Sequence, residues 1–303
     1  MNKIATLQGA DIPVVLGPTY EAFVPLLEAN KDRIKGIQCE THGYGDTDRH
    51  MLDIYYPPKA DGASKHPVLI FVYGGGFASG ERTSPPGTNT DLVYANVGAF
   101  FAARGFVTVI PDYRILPAAK HPLPDEDVRD ALKFVVTQLT DKADTNSIFL
   151  HGHSVGGSIV ASLFLSDPGL LETELKGHVK GLILMASLYH YDGPIMLPPE
   201  LIAAYYGESH AKDCPYGLLQ TASKEVVTAL PSLYIMRSEN EPELVKVGQI
   251  DFVKLLKEKA PGVSVQEAIA SGHNHISPHV ALSSGEGEQW GEDILSWVRA
   301  HVS

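Results

Sequence analysis

Ser154 carries the clearest chemical signal in this chain. It stands in Gly152-His153-Ser154-Val155-Gly156, after an apolar run at 147–151 and before an apolar stretch at 157–165. The first run reads as a buried strand and the second as a helix packed on it. A serine at a sharp strand-to-helix turn is thrust away from the sheet. Residues two before and two after it must be small for the turn to close. Gly152 and Gly156 meet that demand. The hydroxyl then sits above a helix N-terminus, where negative charge can gather. The five-residue pattern by itself also arises by accident; the flanking strand and helix give it weight. The chemistry this suits is nucleophilic attack on a carbonyl carbon.

A serine hydroxyl is a weak nucleophile alone. It needs a base, a carboxylate to hold that base in one tautomer, and N–H donors for the developing oxyanion. Tyr73-Gly74-Gly75-Gly76-Phe77 closes an apolar strand, and its glycines let backbone amides approach a ligand with no Cβ in the way. Gly75, Gly76 and the amide of Val155 are the expected donors. The base is sought late in the chain, among His273, His275, His279 and His301, because such sites run serine, acid, histidine. His301 falls on a terminal helix and reads as solvated. His275 is favoured because Ile276 can pack its loop down, with His273 the competitor. A metal pair at His273 and His275 lacks an accompanying carboxylate cluster. The acid is sought after the strand at 231–236, where Glu239, Glu241 and Glu243 stand. Pro242 stiffens the backbone beside Glu241 and favours it over Glu239.

The elements that must position these groups follow a regular pattern. Strands are expected at 37–41, 51–56, 68–73, 106–110, 148–150, 179–185, 231–236 and 263–268. Helices are expected at 20–35, 92–104, 127–139, 247–259 and 290–301, with Pro25 in the first turn of its helix or kinking it. Strands alternating with helices imply a mostly parallel sheet with helices on both faces, an α/β architecture. The segment 189–229 breaks the alternation and holds Pro194, Pro198, Pro199 and Pro215. It reads as a lid or cap insertion.

At 303 residues the chain can bury a large core, and the whole of 1–303 reads as one domain, with 1–36 and 189–229 as cap or pocket wall. A net charge of -12 argues against a nucleic-acid or anionic-membrane surface. Cys39 and Cys214 are too few for a disulfide scaffold, although one bridge stays open. The first residues lack the long apolar core of a signal peptide, and no stretch of eighteen or so apolar residues suggests a membrane span. A cytoplasmic, soluble protein that needs no cofactor is the expectation, and a homodimer is compatible with it.

Together these pieces resemble the α/β-hydrolase family, within it the carboxylesterase group related to hormone-sensitive lipase. The resemblance runs from about residue 68 to the C-terminus. It rests on Gly74-Gly75-Gly76-Phe77, Asp112-Tyr113-Arg114, His121-Pro122-Leu123-Pro124, the Ser154 turn, Ser238-Glu239-Asn240-Glu241-Pro242 and Gly272-His273-Asn274-His275. It implies an α/β-hydrolase fold and a serine esterase acting on small-molecule carboxylic esters. Ser154 would be the nucleophile, His275 the base and Glu241 the acid. Two departures stand out: Tyr73 replaces the histidine that usually opens and braces the glycine loop, and the acid is glutamate rather than aspartate. His121 reads as a surface-loop residue, and Asp112 with Arg114 as a structural pair. The pocket is expected between the 81–91 loop, the 189–229 insertion and the N-terminal helix. Tyr189, Tyr191, Tyr205 and Tyr206 would line it and favour apolar or aromatic substrates. The same residues would also serve an amide or lactone hydrolase such as an arylformamidase. A non-catalytic small-molecule binding module on this fold would be expected to lose part of the triad.

Overall fold

A computed structural model describes residues 1–7, 9–58, 65–83, 88, 90–166 and 170–302. The strands are β1 (Cys39–Gly43), β2 (Met51–Tyr55), β3 (Pro67–Val72), β4 (Val107–Pro111), β5 (Asp144–His153), β6 (Val179–Met185), β7 (Ser232–Asn240) and β8 (Val265–Asn274). They form one eight-stranded sheet in the order β1-β2-β4-β3-β5-β6-β7-β8. β1, β2 and β4 pair antiparallel; every pairing from β4 through β8 is parallel. Helices flank the sheet, which has the α/β-hydrolase architecture.

The central strands are continuous apolar runs because both faces are covered. Val68, Leu69, Ile70, Phe71 and Val72 of β3 are fully buried, as are Ile148, Phe149 and Leu150 of β5. Chain order reverses at β3: β4 lies on one side of it and β5 on the other. In open parallel sheets the crevice for a ligand lies beyond the carboxyl ends of the strands at such a switch point. Those ends carry Gly74-Gly75-Gly76 after β3 and Ser154 after β5.

Several boundaries differ from expectation. The N-terminal helix runs Ile12–Ala29, with Pro18 and Pro25 inside it, and a short helix Lys31–Lys35 follows. Its buried stripe of Val15, Thr19, Tyr20, Phe23 and Leu27 holds it on the core despite the lost proline donors. β5 and β8 extend well beyond 148–150 and 263–268, because ladder pairing carries them past their apolar centres. The helix after Pro242 starts at once, as Glu243–Lys259. Four short helices, Pro199–Tyr206, His210–Asp213, Pro215–Thr221 and Lys224–Thr228, fill the insertion. Cys39 is exposed and Cys214 buried, and both are free thiols, so the bridge left open by sequence is not formed. Among the described residues no helix is long and apolar enough to cross a membrane.

The tightest packing surrounds the turn after β5. A Cβ on Gly156 would fall 2.2 Å from the Val72 carbonyl oxygen and 2.3 Å from that of Tyr73. Both are backbone atoms of the central strand and its exit. Gly156→Ala should therefore destabilise the protein by about 3 kcal/mol or more, the upper range for overpacking a core. Thermal unfolding checks this: a melting temperature within 2 °C or so of wild type would contradict it.

Candidate active site

Ser154 leaves β5 with φ 54° and ψ -127°, a left-handed backbone unusual for a residue with a side chain. The turn is held from several sides. Its N–H donates to the Met185 carbonyl at 2.9 Å, and its own carbonyl accepts from Gly157 at 3.0 Å, opening the helix Val155–Leu165. Gly152 faces Gly157 so closely that a Cβ there would lie 2.4 Å from the Gly157 Cα. The serine hydroxyl is thereby presented over the helix N-terminus.

Ser154 Oγ donates to His275 Nε2 at 3.0 Å, and His275 Nδ1 donates to Glu241 Oε2 at 2.6 Å. The carboxylate partner makes Nδ1 the protonated nitrogen and leaves Nε2 free to accept. Glu241 is buried, and its second oxygen accepts from the Ser238 amide at 3.0 Å. Pro242 directly precedes the helix Glu243–Lys259, so Glu241 occupies the short span between β7 and that helix. The His275 loop is fixed by Asn274, whose Oδ1 accepts from the amides of Ile276 at 3.0 Å and Ser277 at 2.9 Å. Asn274 also reaches the N-terminal helix, donating to Thr19 Oγ1 at 2.9 Å. His153 Nε2 donates to the His275 carbonyl at 2.9 Å and ties the end of β5 to the same loop.

The competing residues have other partners. His273 donates from Nε2 to the Gly287 carbonyl at 2.9 Å and accepts at Nδ1 from Ser277 Oγ at 2.8 Å. Glu239 accepts from the Gly272 amide at 2.7 Å. Glu243 is exposed, 3.7 Å from Lys246. His279 is buried against Phe71, with Nε2 3.3 Å from His151 Nε2. His301 is bonded to the Trp297 carbonyl at 2.8 Å. Among the described residues no group of three His, Cys, Asp or Glu could hold a metal.

The glycine loop approaches Ser154 from β3. A Cβ on Gly74 would lie 3.0 Å from the Ser154 Cβ, and one on Gly75 would lie 1.9 Å from the Ser79 carbonyl oxygen. Among the described residues the amides of Gly75, Gly76 and Val155 donate no hydrogen bond within the protein. Tyr73, in the unusual position before the glycines, is itself firmly bonded. Its hydroxyl donates to Asp112 Oδ1 at 2.6 Å and accepts from Arg49 Nη2 at 2.9 Å, and Arg49 also donates to the Gly80 carbonyl at 2.8 Å. Tyr113 donates to the Tyr73 carbonyl at 2.8 Å. Asp112 and Arg114 are therefore not paired with each other: Asp112 binds Arg82, and Arg114 binds Asp127 at 2.6 Å. Arg49, distant in sequence and outside any motif, was not predicted.

A cavity of about 340 Å³ opens over Ser154 and His275. Its walls come from Ile12, Leu16 and Tyr20 of the N-terminal helix, from Tyr94, and from Met196 and Leu197 of the insertion. The tyrosines expected to line it do not. Tyr205 stacks on Phe77 with centroids 3.8 Å apart and Tyr189 on Phe252 at 4.2 Å, while Tyr191 and Tyr206 pack against each other at a tilt, 5.6 Å apart. Apolar rings turn toward the core when a core ring is within reach, and this removes them from the pocket. Of the expected 81–91 wall, residues 84–87 and 89 lie outside the described residues; Ser79 and Gly80, just before it, do line the cavity. His121 is mostly buried rather than on the surface, 2.8 Å from Asp125 and against Tyr206.

Burial holds His151, His153, His273 and His279 in the neutral form. It lowers the His273 imidazole to about 4 and the His151 imidazole to about 3. It also holds His153 and His279 well below the usual range, reinforced by neighbouring imidazoles. The unfolded chain would bind these protons near pH 6.5, so acid favours unfolding. Stability should be full above about pH 6.5 and should fall as the pH drops toward 4. His273→Gln, which keeps a donor, should flatten that slope in melts taken from pH 7 to 4. An unchanged slope would contradict the assignment.

The BD-FAE family model matches residues 52–181. The chain is 33% identical over 153 residues to probable carboxylesterase 7 of Arabidopsis thaliana, covering 48% of this chain and 46% of that protein. It is 35% identical over 174 residues to esterase LipC of Mycobacterium tuberculosis, covering 55% and 40%. The chain thus spans less than half the length of these curated relatives. In fold it is similar to esterase B from Lactobacillus rhamnosis, with a TM-score of 0.71 and 14% identity over 94% of both chains. Esterase Est22 gives a TM-score of 0.70 and 19% identity, over 92% of this chain and 86% of that one. The sheet and the serine turn are those of the α/β-hydrolase fold, and over about half of its length the chain is similar in sequence to carboxylesterases.

Proposed function

We propose that this protein is a serine hydrolase that cleaves carboxylic esters of small apolar or aromatic substrates through an acyl-enzyme. The observation that carries this reading is the unbroken hydrogen-bond chain from Ser154 through His275 to Glu241 at the floor of an apolar cavity. Ser154 Oγ attacks the ester carbonyl while His275 Nε2 takes its proton. The carbonyl oxygen becomes an oxyanion held by the amides of Gly75, Gly76 and Val155. Each such donor lowers the barrier by about 2.7–4 kcal/mol. Glu241 keeps the imidazole oriented and stabilises the imidazolium. When the tetrahedral adduct collapses, His275 gives its proton to the departing alkoxide and an acyl-Ser154 ester remains. Water then attacks that ester with His275 again as base, releasing the acid and restoring the hydroxyl. The N-terminal helix and the 189–229 insertion act as a cap over the cavity.

Hydrolysis of short aryl esters tests the reading. Ser154→Ala should lower kcat by about 10⁴-fold or more with the fold intact. Retained activity in that variant would remove Ser154 as nucleophile. Glu241→Gln should cost about 10³–10⁴ in kcat, because an amide holds the imidazole in the wrong tautomer. Glu239→Gln, which alters only a loop contact, should stay within a few-fold of wild type. The reverse ranking of the two glutamates would reassign the acid.

A further inference from the structure

A second cavity, also of about 340 Å³, lies beside the first and, among the described residues, shares with it Met196 and Leu197. Its remaining lining is largely apolar, with Pro194, Ile195, Pro199, Ile202 and Leu244; Tyr191 and His210 are its polar residues. The partition begins at the glycine loop itself, since Leu197 Cδ2 lies 3.4 Å from where a Gly76 Cβ would be. A group bound at the oxyanion amides is therefore in reach of Leu197. The partition is thin: Met196 and Leu197 belong to an irregular stretch between Gly193, at φ 134°, and the helix Pro199–Tyr206. Both are half-buried, and Met and Leu side chains re-pack at low cost.

We infer that Met196 and Leu197 set the length of hydrocarbon chain the enzyme accepts, and that the second cavity is the extension a longer chain enters when they give way. This rests on the ester-hydrolase reading above. The ligand chemistry is an unbranched alkyl chain of the ester, on either its acyl or its alcohol side. An apolar space separated from the reacting site by two side chains that re-pack at low cost suits such a chain, and each methylene that enters contributes about 0.8 kcal/mol, or about fourfold in kcat/KM.

The test compares two series: p-nitrophenyl esters from acetate to decanoate, and alkyl acetates of matching length. Leu197→Ala should raise the ratio of kcat/KM for the eight-carbon to the two-carbon member by at least tenfold in one series. The series that moves identifies which side of the ester points to the second cavity. Adding Ile202→Trp, which adds bulk to the lining of the second cavity, should return the ratio to near the wild-type value. Met196→Ala opens the same partition and serves if Leu197→Ala fails to fold. Ratios within twofold of wild type in both series, or a raised ratio that Ile202→Trp leaves in place, would overturn this inference while leaving ester hydrolysis intact. Absence of any ester hydrolysis by the wild type would overturn both.

Discussion

The geometry of the site depends on one backbone constraint. The chain must pass from β5 into the helix Val155–Leu165 within a single residue, and Ser154 accepts a positive φ to do so. Such a conformation costs about 1–3 kcal/mol and persists only when the surroundings over-determine it. Here they do. Gly152 lies against Gly157, Gly156 lies under the carbonyls of Val72 and Tyr73, and the Ser154 amide is tied to Met185 on β6. The strain is offset by close packing of the helix on the sheet, and the hydroxyl has one direction in which to point.

The groups that meet Ser154 reach it on separate elements. β7 delivers Glu241, β8 delivers His275, and β3 delivers the glycine loop. Parallel strands place all these ends on one edge of the sheet, so groups far apart in sequence meet within hydrogen-bond distance. Each end is then clamped locally. Asn274 closes the turn that carries His275, the Ser238 amide holds Glu241, and the Arg49–Tyr73–Asp112 cluster anchors the base of the glycine loop. Tyr73 makes bonds of a kind that a shorter residue at this position could not make with Asp112 and Arg49 together.

The cavity wall is built differently. It comes from the N-terminal helix and the insertion, two segments outside the regular alternation. Asn274 links the first of these to the His275 loop through Thr19, so the wall and that loop are mechanically joined. The insertion turns Tyr205 onto Phe77 and Tyr189 onto Phe252 and leaves Met196 and Leu197 lining the same cavity as Ser154 and His275. The insertion's share of the wall is apolar as a result.

Local rules in the sequence were enough to settle the strand–turn–helix at Ser154, the glycine loop after β3 and the alternating strands and helices. Each depends on neighbours within a few residues: small residues at a tight turn, apolar runs for covered strands, glycine where amides must be bare. The same rules narrowed the partners expected for Ser154 to neighbouring candidates and favoured Glu241 and His275 among them. What separates Glu241 from Glu239 and His275 from His273 is the direction each side chain takes at the end of a long strand. That direction follows from ladder register and from contacts such as Asn274 with Thr19, which span hundreds of residues. The roles of Arg49, the re-pairing of Asp112 and Arg114, and the inward turn of the insertion's tyrosines belong to the same class. They are decided by which distant partner lies nearest once the core has packed, and no local pattern encodes that.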